Sequence, residues 1–344
     1  MFSEPLKSKP LFTSHVRFVA PRALRAVLLV ALLAISLSAS LAFAASLETT
    51  ETTETTATPT PPPIKATKIT LDARELLFGA AGQKLTLNVT VSPKNADVRA
   101  LTFTSSKPDI AEVNAKGQVT ARRKGKCTIT AKLDKLTVSC KVTITDKWVA
   151  LTFDDGPSPY TAKLLNGLKK RGVYATFFVP GRAASKHGQS MLRIMKRDGH
   201  EVGNHVWGHD SKAKNLRARL AKVDKYIKLA TGKESALMRP PYGILNKRVR
   251  TCGKPVILWS IDTNDWRDRN SSIVYGRITK QAKSGSIILL HDTHKTSVSA
   301  ALKAVDTLKK RGYAFVTVSD LLGAPENNKV YFKGPSKIRP TKIK

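Results

Sequence analysis

Two histidines stand four residues apart, His205 and His209, and two adjacent carboxylates stand upstream of them, Asp154 and Asp155. A four-residue spacing lets two imidazoles reach one metal ion. The residue after His205 is Val206 rather than Glu, so the zinc-protease pattern that carries its own base is absent. A general base must come from elsewhere. Neighbouring residues send their side chains in different directions, so one aspartate of the pair can bind a metal while the other takes a proton from its water. Two histidines and one carboxylate leave coordination positions open, as a catalytic zinc site requires. Taken singly, each group has a structural reading: histidines of a core or surface, an Asp-Asp-Gly-Pro turn, a rigid Arg239-Pro240-Pro241 loop, a core or sugar-stacking Trp266. Their order and placement shift the balance to chemistry.

The placement follows from a strand–loop–helix alternation over residues 147–322. Apolar strand runs are predicted at Trp148–Phe153, Ala175–Val179, Glu201–Gly203, Leu237–Met238, Val256–Ile261, Ile287–Leu290 and Tyr313–Val318. Helical patterns are predicted at 160–170, 189–198 and 215–231. Val298, Leu302, Val305 and Leu308 line one face of a later helix. This alternation implies a parallel sheet, either open or closed as a barrel. Asp154 and Asp155, His205 and His209, Arg239, Asp262 and Asp265, and His291 and Asp292 each follow a strand run. Strand C-terminal ends are where such folds place their chemistry.

The segment closely resembles the NodB-type polysaccharide deacetylases of carbohydrate esterase family 4. Five motif regions carry the resemblance, in order: Thr152 to Ser158 (TFDDGPS), His205 to His209 (HVWGH), Arg239 to Gly243 (RPPYG), Asp262 to Trp266 (DTNDW) and Leu289-Leu290-His291. The resemblance implies a distorted (β/α) barrel that hydrolyses an N-acetyl group. It implies Asp155, His205 and His209 as metal ligands, for zinc or cobalt. It implies Asp154 as the base, Arg239 as its support, and the Tyr242 backbone N–H as an oxyanion donor. His291 is the implied acid, with Asp265 tuning it. Trp266 and Leu289 would line the acetyl pocket, with Tyr242 also contacting substrate. One departure is visible: Val206 replaces the hydroxyl residue that usually follows the first metal histidine and braces its loop.

Residues 65–146 change the period to two. Leu85–Val91, Thr128–Ala131 and Val142–Thr145 alternate apolar and polar residues between turn clusters, as in a small antiparallel sandwich. This stretch resembles a group 2 bacterial immunoglobulin-like domain, on segments such as Phe103-Thr104-Ser105-Ser106 and Gly117-Gln118-Val119-Thr120-Ala121. Members of that family are spacer or adhesion modules. Cys127 and Cys140 fall in the last two strand runs, and an oxidising compartment would allow a disulfide if they face each other. Cys252 reads as a small apolar core residue.

Residues 1–45 pair a basic start with the uncharged run AVLLVALLAISLSASLAFAA at 26–45. This is either a cleaved secretory signal or a retained membrane anchor, and both export the remainder. Residues 46–64 are a Thr/Pro-rich linker and 323–344 a basic tail, expected to lack order. The 344 residues carry 59 Lys and Arg against 25 Asp and Glu, a formal charge of +34. Residues 147–344 hold 39 of the bases and 14 of the acids. Such a surface attracts polyanions, and export makes nucleic acid an unsuitable partner. An exported, spacer-mounted cationic deacetylase suits peptidoglycan, in a wall whose anionic polymers match its charge. Chitin-like glycans, an acetylxylan esterase activity and a metal-free wall adhesin are the competing readings.

Overall fold

A computed structural model describes residues 62–185, 188–335 and 339–343. The signal-or-anchor segment and nearly all of the linker lie outside the described residues. No helix among the described residues is long and apolar enough to cross a membrane.

The N-terminal region is all β: β1 (Lys68–Leu71), β2 (Glu75–Phe78), β3 (Lys84–Thr86), β4 (Val89–Ser92), β5 (Thr102–Ser105), β6 (Ala111–Val113), β7 (Gln118–Ala121), β8 (Gly125–Leu133) and β9 (Leu136–Ile144). β8 and β9 form its backbone, antiparallel, with alternate residues buried because successive strand side chains face opposite ways. Leu76, Phe78, Ile129, Val142 and Ile144 meet in one apolar core. The predicted single strand over Leu85–Val91 is in fact two. β3 joins β7 while β4 joins β1, and the chain changes sheets where Leu87 is buried and the Asn88 amide donates to Asp72.

The expected disulfide is not formed. Cys127 pairs with Val142, and Cys140 with Ile129, so the two cysteines are diagonal neighbours on the same face, and both are free. Diagonal positions lie about 7–8 Å apart, beyond the Cβ separation of roughly 4 Å that a disulfide tolerates. Burial also pushes the Cys140 thiol up to about 12, which keeps it unreactive.

The second region runs β10 (Trp148–Asp154), α1 (Thr161–Arg171), β11 (Thr176–Val179), α2 (Gly181–Ala184), α3 (Gln189–Arg197), β12 (Glu201–Asn204), α4 (Leu216–Thr231), α5 (Lys247–Arg250), β13 (Val256–Ile257), β14 (Ile261–Asp262), α6 (Asp265–Asp268), α7 (Ser271–Gln281), β15 (Ser286–His291), α8 (Lys295–Lys310), β16 (Ala314–Phe315) and α9 (Val318–Leu322). The parallel sheet has the order β12-β11-β10-β15-β14, with β16 also on β10. Every residue of β10 is buried, as expected of a parallel strand covered on both faces. Single bridges through Met238 link β12 to β13 and curl the sheet towards closure. The strand expected over Tyr313–Val318 shrinks to Ala314–Phe315, because the Thr317 side chain accepts from the Asp320 amide and starts α9. The run expected over Val256–Ile261 is likewise broken into β13 and β14.

The basic tail is ordered where described, against expectation. β17 (Val330–Tyr331) adds a parallel strand to β13. β18 (Thr341–Ile343) pairs antiparallel with β2 of the immunoglobulin-like region. Ile343 is buried in an apolar cluster with Leu77, Trp148, Phe178 and Ile287, and its carbonyl accepts from the Arg74 amide at 2.8 Å. Apolar side chains interspersed among the lysines, not the net charge, decide this. A chain ending at Gly334 is expected to lose about 2 kcal/mol, the burial of one isoleucine, and to unfold a few degrees lower by calorimetry. An unchanged transition would show that the strap carries no load.

Candidate active site

Parallel pairing of β10 with β15 sets Asp154 beside His291. Pairing of β11 with β12 carries the chain to His205, whose amide donates to the Val179 carbonyl at 3.0 Å. The strand ends therefore bring separate motifs to one edge of the sheet.

Asp155, His205 and His209 each offer a ligand atom, and these atoms lie within 4.8 Å of one another. Both histidine Nε2 atoms approach Asp155 Oδ1, at 3.4 Å from His205 and 3.2 Å from His209. His205 Nδ1 lies 2.8 Å from the Arg239 carbonyl. A carbonyl only accepts, so Nδ1 carries the hydrogen and Nε2 keeps its lone pair. Burial, the strongest influence on His205, holds its pKa below the usual imidazole value despite the nearby carboxylates. Burial alone would raise the Asp155 carboxyl, but the neighbouring imidazoles of His209, His205 and His291 together hold it lower. Buried Asp155 Oδ1 has no hydrogen-bond partner. Two imidazole nitrogens beside an unsatisfied carboxylate oxygen fit a divalent cation.

Asp154 is 3% exposed and paired to fully buried Arg239, with Nη1 to Oδ1 at 2.8 Å. The same guanidinium donates to the Thr152 hydroxyl and to the carbonyls of Ile257 and Leu258, and lies over the Phe178 ring, 4.2 Å from its centroid. Asp154 Oδ2 is 3.8 Å from His205 Nε2. The two adjacent aspartates thus occupy different environments. One is clamped by Arg239, while the other faces the imidazoles.

His291 Nδ1 lies 2.8 Å from Asp265 Oδ1, and the His291 amide donates to Asp265 Oδ2 at 2.7 Å. Burial would pull the imidazolium pKa down, but the Asp265 hydrogen bond and charge push it up to about 9. The Asp265 pairing therefore favours the protonated form of His291 at neutral pH. Asp265→Asn is expected to move the basic limb of the pH–rate profile from about 9 towards the ordinary 6.5. An unmoved limb would remove Asp265 from the tuning role. The sign for stability follows: the pair contributes fully below the ordinary value, and its contribution fades as pH rises through about 9.

Leu289 is buried on β15, two residues before His291. Trp266 and Tyr242 are exposed, at 51% and 79%. Tyr242 sits at φ 59° with its ring 4.7 Å from that of His209. Asp155, Val206 and His209 are also left-handed, at φ 72°, 64° and 54°. Such conformations persist where the surroundings impose them, and they cluster at functional sites. For β-branched Val206 the strain is largest. Its side chain is buried with Leu216, Leu220, Met238 and Val256, so apolar packing holds this part of the loop. Sequence reasoning missed Asn204, which supports this loop by accepting from the Val206 amide while donating to Leu220 and Asp224. It also missed the Thr152 hydroxyl. Thr152 lay inside a quoted motif, but Asn204 next to His205 carried no pattern of its own.

Comparison with known proteins agrees. The polysaccharide deacetylase profile matches residues 141–255, and the group 2 bacterial immunoglobulin-like profile matches 65–144. A Listeria monocytogenes peptidoglycan-N-acetylglucosamine deacetylase is 40% identical over 185 residues, covering 52% of this chain and 40% of the relative. The chain thus spans only about two fifths of that relative's length. A family 4 acetyl xylan esterase from Clostridium thermocellum, solved with a cobalt ion, superposes with a TM-score of 0.52 at 31% identity, over 55% of this chain and all of that one. A Bacillus cereus peptidoglycan-N-acetylglucosamine deacetylase is 36% identical over 199 residues, 54% of this chain and 92% of the relative. With so much of a relative matched at that identity, the chain belongs to the polysaccharide deacetylase family, its catalytic region preceded by a group 2 bacterial immunoglobulin-like domain.

Proposed function

We propose that the protein removes N-acetyl groups from amino sugars of peptidoglycan, outside the cell, with an Asp154 base and a His291 acid. The observation that carries this reading is the opposed pair: a carboxylate clamped by Arg239 at one strand end, and beside it an imidazole hydrogen-bonded to Asp265. Asp154 takes a proton from the attacking water as the water oxygen bonds the acyl carbon. The carbon–nitrogen bond then breaks, and His291 gives its proton to the departing amine. The Tyr242 amide is the oxyanion donor, and Trp266 with Leu289 bounds the acetyl methyl. A divalent cation, zinc or cobalt, held by Asp155, His205 and His209 would polarise the acyl oxygen and acidify water.

The charge supports an anionic substrate. Arg182, Lys212, Lys214, Arg269 and Lys295 are exposed on segments that follow the strands carrying the site. Peptidoglycan carries peptide carboxylates, whereas chitin-like oligomers and acetylxylan do not. N-acetylglucosamine and N-acetylmuramic acid are both amino sugars of this class. The test is acetate release from purified peptidoglycan, in parallel with N-acetylglucosamine oligomers, with and without zinc or cobalt. Metal-dependent release, faster from peptidoglycan at low salt, is expected. Release from neutral oligomers alone would move the substrate to chitin-like glycans. Silence on both would favour the esterase or the adhesin.

A further inference from the structure

We infer that Asp292 is a positioning residue that locks the loop carrying Asp154 and Asp155 against the strand carrying His291. β10 and β15 leave the sheet side by side, with Asp154 opposite His291. One chain turns through Asp155-Gly156-Pro157-Ser158, and the other continues into Asp292. Asp292 is fully buried. Its Oδ2 accepts a short hydrogen bond from the Thr161 hydroxyl. The same Thr161 oxygen accepts from the Ser158 amide at 2.7 Å, and the Ser158 hydroxyl donates to the Asp292 carbonyl at 2.6 Å. Side chain and backbone of one residue therefore grip the loop and the first turn of α1 together.

The grip is tight at Gly156. A Cβ there would lie 2.2 Å from Asp292 Oδ1, so the carboxylate fills the space that any other residue would need. Oδ1 itself has no hydrogen-bond partner among the described residues. A buried acceptor left unpaired costs about 1–3 kcal/mol, which is poor design for stability alone and asks for another reason. That reason stands one residue before Gly156. Asp155 is held at φ 72°, a left-handed conformation that aspartate tolerates better than most residues but that is fixed here by its surroundings. The Asp155 amide is tied to the Phe178 carbonyl at 3.2 Å. On its other side the turn is fixed by the segment that Asp292 and Thr161 hold. Asp292 touches no reacting atom; it acts through the loop.

The activity readout rests on the deacetylase reading, while the metal-affinity readout does not. Asp292→Ala is expected to lower kcat on N-acetylglucosamine oligomers about 100-fold with KM unchanged, the cost of displacing a catalytic group by about 1 Å. Its affinity for cobalt(II), read by calorimetry, should fall about tenfold. Thr161→Val should reproduce both effects in weaker form, and adding it to Asp292→Ala should cost nothing further. Asp292→Asn keeps the shape and the acceptor for Thr161, and should restore both readouts nearly to wild type. Unchanged kcat and cobalt affinity in Asp292→Ala and Thr161→Val would overturn the inference. So would an Asn variant as impaired as the Ala variant, since charge and not the bracket would then matter. If Asp292→Ala does not fold, Thr161→Val and Asp292→Asn carry the test. A wild-type enzyme silent on every glycan would sink the deacetylase reading, and cobalt binding would still decide the bracket.

Discussion

Asp154→Asn is expected to lower kcat for acetate release roughly a thousandfold, within the range that general acid–base catalysis supplies, while leaving cobalt binding intact. The separation follows from geometry. The atoms that could hold a metal belong to Asp155, His205 and His209, whereas Asp154 is turned to Arg239. Asparagine keeps the side-chain volume and one oxygen for Arg239 Nη1, so the pocket keeps its shape but loses a group that can accept a proton. Steady-state kinetics at saturating metal, with cobalt titration alongside, read both quantities. A loss below about tenfold would remove Asp154 from the role of base. Joint loss of cobalt binding and activity would mean that the two aspartates do not divide the work as proposed.

Arg239→Met is expected to be the most damaging change to the scaffold. The guanidinium is fully buried and serves four acceptors at once: Asp154, the Thr152 hydroxyl and the carbonyls of Ile257 and Leu258. Methionine matches much of its length but donates nothing. Removing one member of a buried ion pair costs about 3–5 kcal/mol, because the other charge stays buried without a partner. Activity should fall at least about 100-fold as well, because the proposed base loses its support. Lysine is a poor rescue, since one ammonium cannot span acceptors arranged around a planar fork. Urea denaturation with parallel kinetics checks the pair of effects. A stability loss under about 1 kcal/mol would contradict the view that Arg239 is a structural pillar as well as a catalytic support.

Much of the site was legible before any coordinates. Side-chain chemistry is local, and the five motif regions lie in sequence order after recognisable strands. A buried parallel strand such as Trp148–Asp154 reads as an unbroken apolar run because both faces are covered. The alternation in β8 and β9 was visible because only one face is covered. Where the strands end was less legible. A single side-chain contact stopped the predicted strand at Phe315 and began a helix at Val318.

By itself the sequence determined which groups can do the chemistry, the order of the two folded regions and the excess of positive charge, since these depend on residue type and local period. Tertiary structure alone decided the rest. Strand register placed Asp154 beside His291 and set Cys127 and Cys140 two residues out of pairing. Long-range pairing drew Thr341–Ile343 onto Glu75–Phe78, where charge counting had suggested a free tail. Burial divided Asp154 from Asp155 and brought the Asp292 carboxylate against Gly156. Register, pairing and burial depend on residues far apart in the chain, and no local pattern records which of them will meet.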